Sequence, residues 1–198
     1  MARGDGLTED ERQLLARLDQ GFAHQRYLEP AVLVSVRAWQ CTDRTYELVQ
    51  RLSRGLDVAN LLRTEALRAR TIREHLDTAI DSGRMSFEAV AYRGVRDLGK
   101  SFDVRSPAEA VGRRFPQRGY LAATAVEKVA REEFVGPRGA LIEITLPVGT
   151  SVLWVAGVGH PLLWRQGELL LRDNTTLHVY SLSQAGSIPT LRAKVVAQ

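Results

Sequence analysis

Three short stretches in the second half of the chain carry residue types suited to chemistry. Arg93 ends the strand-like run Ala89-Val90-Ala91-Tyr92-Arg93 and precedes Gly94. An arginine in that position sets a two-pronged donor beside exposed backbone, an arrangement that suits a pyrophosphate. Gly119-Tyr120-Leu121-Ala122-Ala123-Thr124 is a short strand of small side chains that would let another object approach closely. Gln166-Gly167-Glu168 opens the run of three leucines from Leu169 to Leu171. On a strand, side chains at i and i+2 share a face, so Gln166 and Glu168 would point the same way. The glycine between them weakens the strand but permits close approach. Such a pair is either a solvated sheet edge or a carboxylate aimed into a cleft. Each pattern alone is common where no function attaches to it.

The elements that must position these residues divide the chain in two. The first half reads as helical. Thr8 offers an N-cap with Glu11 three residues on, ahead of Leu14, Leu15 and Leu18. The run from Pro30 to Trp39 is ambiguous, because "AVLVSV" could be a short strand. Thr42–Leu52 and Val58–Leu76 show apolar residues at helical spacing, with Arg63, Arg68, Arg70 and Arg73 on an outer face. Asp77–Ser82 closes this half as a helix or a turn. From about Phe87 the pattern changes to short apolar runs between turn residues. Strands are expected at Ala89–Arg93, Gly119–Thr124, Ala140–Leu146, Ser151–Ala156, Glu168–Leu171, Thr176–Leu182 and Leu191–Val196, with a turn at Pro147–Thr150. Strand after strand without long helices between them argues for an antiparallel or mixed sheet, hence an α+β fold.

Size and composition bound the rest. The 198 residues fit one domain, with residues 1–38 read as a helical N-terminal extension. A hydrophobic share of 44% and a charged share of 25% suit a chain that builds its own core. Lysine occurs only at positions 100, 128 and 194, so the net charge of +4 rests on arginine, whose planar forks match phosphates and carboxylates. Cys41 is the sole cysteine, which excludes an internal disulfide and a cysteine-based metal site. No apolar segment near the start reads as a signal peptide, and no run approaches the roughly 20 residues of a membrane span. A soluble, cytoplasmic protein with no membrane partner is expected, unless it is delivered by a route that uses no such signal.

The three stretches, taken in order and at their spacing, resemble the mono-ADP-ribosyltransferases of the arginine–serine–glutamate class, in their toxin-like branch. The likeness runs from about Trp39 to the terminus. "VAYRGV" at Val90–Val95 is similar to the family's aromatic-arginine-glycine strand. "GYLAATAVEKVA" at Gly119–Ala130 is similar to its serine-threonine-serine strand. "ALIEITLPVGTSVLWV" resembles the strand–turn–strand that follows, and "RQGELLLRDNTTLHV" the strand bearing the catalytic glutamate. The resemblance implies two packed, mainly antiparallel sheets forming a cleft for NAD+, used as co-substrate without a metal. It implies cleavage of the nicotinamide–ribose bond and transfer of ADP-ribose to a macromolecular acceptor, with NAD glycohydrolysis as a side activity.

By the same resemblance, Glu168 is the catalytic glutamate. It would accept a hydrogen bond from the ribose and stabilise an oxocarbenium-like transition state. Arg93 would hold the diphosphate and Gly94 the nicotinamide amide, with Tyr120, Thr124 and Arg131 as further NAD contacts. Phe134 is a candidate in the same neighbourhood as Arg131, although it also reads as a core residue. The loop Ala156–Arg165 corresponds to the target-recognition loop, so Trp164, His160 and Gln166 would meet the acceptor. Gln166 stands where arginine-modifying members carry glutamate. That resembles the glutamine-x-glutamate subgroup, whose members modify asparagine on small GTPases or guanine in nucleic acid. A glutamine both donates and accepts hydrogen bonds, as recognition of an amide or a base requires.

Ala122 departs from the family pattern, because it cannot supply the hydroxyl that orients the glutamate. This departure and the arginine-rich helices leave a second function class open. In it, the fold would persist as a catalytically weak module that binds nucleic acid or protein. The acceptor, protein or nucleic acid, is not legible, nor is the choice between a bacterial exoenzyme, a phage-encoded modifier and a toxin with a neutralising partner protein.

Overall fold

Helix α1 (Glu9–Gly21) begins with reciprocal capping. Thr8 Oγ1 accepts from Glu11 N at 3.1 Å, and Glu11 Oε2 accepts from Thr8 N at 2.7 Å. The box satisfies amides that a helix start otherwise leaves without partners. Glu11 also reaches across the fold, its Oε1 accepting from Glu127 N at 3.2 Å. The structure, a computed structural model, describes residues 6–41, 44–56, 63–184 and 186–197.

Pro30 opens α2 (Pro30–Gln40), which settles the ambiguous run as a helix. Val32, Ser35, Val36 and Trp39 are its buried residues, at one-face helical spacing. Helices α3 (Arg44–Ser53) and α4 (Arg63–Asp81) follow. The second of these continues through the stretch expected as a separate closing element. Thr42 and residues 58–62, expected at the starts of these helices, lie outside the described residues. None of the helices described is long and apolar enough to cross a membrane.

Among the described residues, eight strands form one mixed sheet. They are β1 (Ala89–Val95), β2 (Arg114–Pro116), β3 (Leu121–Thr124), β4 (Ala140–Leu146), β5 (Leu153–Trp154), β6 (Glu168–Leu171), β7 (Thr176–Ser183) and β8 (Thr190–Ala197). Their order across the sheet is β2-β7-β8-β4-β1-β3-β6-β5, and the β4–β8 pairing alone is parallel. Helix α5 (Leu98–Phe102) and strand β2 lie in a stretch to which the sequence assigned no element. The strand expected over Ser151–Ala156 is cut to β5, because the chain turns into a short helix, α7 (Val155–Val158). Between β3 and β4, helix α6 (Glu127–Val129) passes directly into a π-helical turn, Ala130–Phe134.

One junction in the sheet sets up the site. β1 pairs with β4 along its whole length, but β1 and β3 meet at a single residue pair, Tyr92 with Thr124. The two sheets that the resemblance implied are thus joined there into one, with parts β2-β7-β8-β4-β1 and β3-β6-β5. Facing side chains of the two parts share a core. It includes Ala91, Ile142, Ile144 and Leu191 from the first, and Leu121, Ala123, Leu169 and Leu171 from the second. Leu153 and Leu170 project from the other face of the smaller part, into a second core with Val36, Trp39, Ile72, Leu76 and Ile80 of the helices. Both faces of β6 are therefore covered, which is why its leucines run without alternation. Each buried leucine contributes about 1.5–3 kcal/mol.

Candidate active site

A cavity of about 360 Å³ opens where β1 and β3 part. β1 contributes Tyr92, Arg93 and Gly94, and β3 contributes Ala122, Ala123 and Thr124. The π-helical turn closes one side with Ala130 and Phe134. Gln166 and Glu168 line another, and Trp39, Gln40, Cys41 and Tyr46 bring the helical layer to the rim.

Arg93 crosses the gap between the parted strands. Its Nη1 donates to Ala122 O at 2.8 Å. Burial pulls its pKa below the ordinary arginine range, opposed by the nearby Tyr46. A guanidinium has five N–H donors, so the bond to Ala122 leaves others for an anion. Gly94 is where the π-helical turn comes closest to β1. A Cβ there would lie 2.3 Å from Ala130 O and 2.6 Å from Phe134 Cβ, so only glycine fits.

Gln166 and Glu168 both line the cavity, but strand alternation does not align them. Gln166 ends the 3₁₀ turn Pro161–Gln166, and Gly167 takes a left-handed conformation with φ 55°. The strand starts only at Glu168. Thr124 lies opposite Glu168 in the ladder. Its hydroxyl donates to the backbone carbonyl of Gln166 and accepts from Val126 N at 2.9 Å. Thr124 thus fastens the end of the turn that delivers the glutamate.

The Glu168 carboxylate is held from the helical layer. Trp39 Nε1 donates to Oε1 at 3.0 Å, and Gln40 Nε2 donates to Oε2 at 3.0 Å. Burial pushes the Glu168 pKa up, and the two hydrogen bonds oppose that rise. A carboxylate with both oxygens engaged in hydrogen bonds is, when ionised, a fixed negative charge, suited to stabilising a cation that forms beside it.

Tyr120, Arg131, His160 and Trp164 lie outside this lining. Tyr120 points into the helical core, where its hydroxyl donates to Asp77 Oδ1 at 2.7 Å and its ring meets Trp39 edge-on at 5.5 Å. Arg131 is half-exposed and paired with Glu127, with Nε donating to Oε1 at 3.2 Å. His160 is exposed and caps the 3₁₀ turn, Nδ1 accepting from Leu162 N at 3.3 Å. Trp164 is also exposed and lines a separate groove of about 460 Å³ with Leu15, Asp19 and Trp154. Phe134, read partly as core, is 42% exposed and lines the cavity.

Trp39, Gln40 and Tyr46 line the cavity without having been singled out as site residues in the sequence. One signal was available for the first two. A buried tryptophan must find an acceptor for its N–H, and Trp39-Gln40 ends a helix rich in apolar residues.

No protein-family model and no curated protein sequence matches this chain. Solved structures do. Plx2a, an ADP-ribosyltransferase toxin from Paenibacillus larvae, superposes with a TM-score of 0.72 at 17% identity, covering 95% of this chain and 97% of its own. Vis toxin, an ADP-ribosyltransferase from Vibrio splendidus, gives 0.70 at 14%, covering 99% and 89%. Exoenzyme S from Pseudomonas aeruginosa, in complex with human 14-3-3 protein beta and bound to carba-NAD, gives 0.63 at 18%, covering 94% and 89%. At these identities the likeness lies in the fold, and the chain has the fold of the ADP-ribosyltransferase toxins.

Proposed function

We propose that the chain is an NAD-dependent mono-ADP-ribosyltransferase acting on a macromolecular acceptor. The observation that carries this is the convergence of Arg93, Gly94, Thr124, Gln166 and Glu168, from three separate segments, on one cavity of an ADP-ribosyltransferase fold. The residues present suit NAD. Arg93 offers guanidinium donors for a diphosphate. Gly94 contributes to the cavity wall, and Tyr46, Tyr92 and Phe134 supply flat apolar surface for a planar ring.

NAD supplies a glycosidic bond whose leaving group, nicotinamide, needs no metal to depart. Glu168 contributes a negative charge held in place before reaction, so little reorganisation is needed as positive charge develops on the ribose. Arg93 contributes alignment, fixing the diphosphate while the bond breaks. Gln166 lies two residues from that charge and can donate to and accept from an amide or a base. This favours an amide side chain or a nucleobase as acceptor over the cationic arginine.

The test is transfer from adenine-labelled NAD into a cell lysate separated afterwards into protein and nucleic acid. Label should appear in one of the two fractions with the wild type, and fall about 10²–10⁴-fold with Glu168→Ala. Equal labelling by both forms would sink the proposal.

A further inference from the structure

The neighbouring strand gives the Glu168 carboxylate no hydrogen bond. Ala122 has no side-chain donor, and the Thr124 hydroxyl is committed to Gln166 O and Val126. Both donors come instead from the last turn of α2, 128 and 129 residues away in sequence. Each is itself held. The Trp39 indole is 2% exposed and packs at 4.7 Å from the Tyr46 ring and 5.5 Å from the Tyr120 ring. The Tyr120 hydroxyl is tied to Asp77 and Arg73 O. Core packing therefore fixes where the indole N–H points.

Gln40 has a second attachment. Its Oε1 accepts from His160 N at 2.6 Å, which fixes the amide so that Nε2 faces Glu168. Gly159 makes room for this bridge. A Cβ there would lie 2.0 Å from Gln40 Oε1 and 2.8 Å from its Cδ. One side chain thus joins the carboxylate to the backbone at the start of the 3₁₀ turn that carries Trp164 and Gln166.

We infer that Trp39 and Gln40 are positioning residues for Glu168, and that Gln40 couples the carboxylate to the loop beginning at Gly159. The inference rests on the reading of the cavity as a site of NAD cleavage. It adds the two residues that hold the charge, and a link by which movement of the loop would alter it.

The titratable groups sharing the cavity are Arg93 and Tyr92 from β1, and Cys41 and Tyr46 from the helical side. None of them hydrogen-bonds the carboxylate. Removing one donor should therefore act on Glu168 itself and raise its pKa. The experiment is the pH dependence of nicotinamide release from NAD for wild type, Trp39→Phe, Gln40→Met and Gly159→Ala. The last displaces the amide without removing it. Circular dichroism and NAD calorimetry identify the variants that fold and bind. The expected result is a kcat lowered about tenfold or more, KM for NAD nearly unchanged, and an acid limb moved up by about one pH unit. An active wild type with unmoved acid limbs in the folded variants overturns the inference alone, as does a fall in kcat without that movement. A wild type that binds NAD but releases no nicotinamide overturns the underlying reading.

Discussion

Glu168 is a carboxylate whose native environment both opposes and supports its charge. Burial raises its pKa, and the Trp39 and Gln40 donors restrain the rise. The native state thus binds this proton more tightly than the unfolded chain does. Ionisation of Glu168 costs stability at pH values above its native pKa, and the cost disappears as pH falls through that value toward the ordinary glutamate range near 4.3. Comparing melting temperatures of wild type and Glu168→Gln across this window should show the wild type gaining on the variant as pH is lowered. A difference that stays flat with pH would mean the carboxyl titrates as it does in the unfolded chain. Arg93, Gly94, Gln166 and Glu168, singled out by the ordered resemblance of three short stretches and not by any one of them, line one cavity. Trp39 and Gln40 were not singled out, because their role depends on hydrogen bonds to a residue some 130 positions away. Tyr120 misled for a related reason. The resemblance implied an NAD contact there, but Tyr120 precedes β3, and its side chain lies on the helical side.

Among the elements, the π-helical turn against β1 sets the width of the cavity. Gly94 is the point of closest approach, and the atoms a Cβ would meet are mainly backbone, which cannot swing away. Gly94→Ala should push the turn off the strand, cost about 1–3 kcal/mol in urea unfolding and weaken NAD binding measured by calorimetry. Unchanged affinity would mean that this turn does not shape the site. Seven strands were legible as short apolar runs between turn residues, whereas the three-residue β2 was too short to show a pattern. Helix α2 was ambiguous because Pro30–Trp39 is apolar on too many sides to display one clear period. Strand β5 was overestimated because Ser151–Ala156 is an apolar run that continues as helix α7 beyond Trp154. The single pairing of β1 with β3, which opens the cavity, left no mark in composition or period, because register between distant strands is a tertiary property.

On the scale of the whole molecule, the helical layer completes the site that the sheet begins. The loop from Gly159 to Gln166 runs between two openings, with Gln166 on the cavity and Trp164 on the second groove. If this loop meets the acceptor, Trp164→Ala should lower transfer to the macromolecule by a larger factor than it lowers release of nicotinamide into water. Equal losses in both assays would remove Trp164 from acceptor recognition. If this cavity breaks the nicotinamide–ribose bond, the Glu168 charge drives the step. The most direct measurement is the rate of nicotinamide release from NAD by wild type and by Glu168→Gln, each shown by calorimetry to bind NAD. The wild type should release nicotinamide, and the variant should do so about 10²–10⁴-fold more slowly. Equal rates, or no release by a wild type that binds NAD, would contradict this reading.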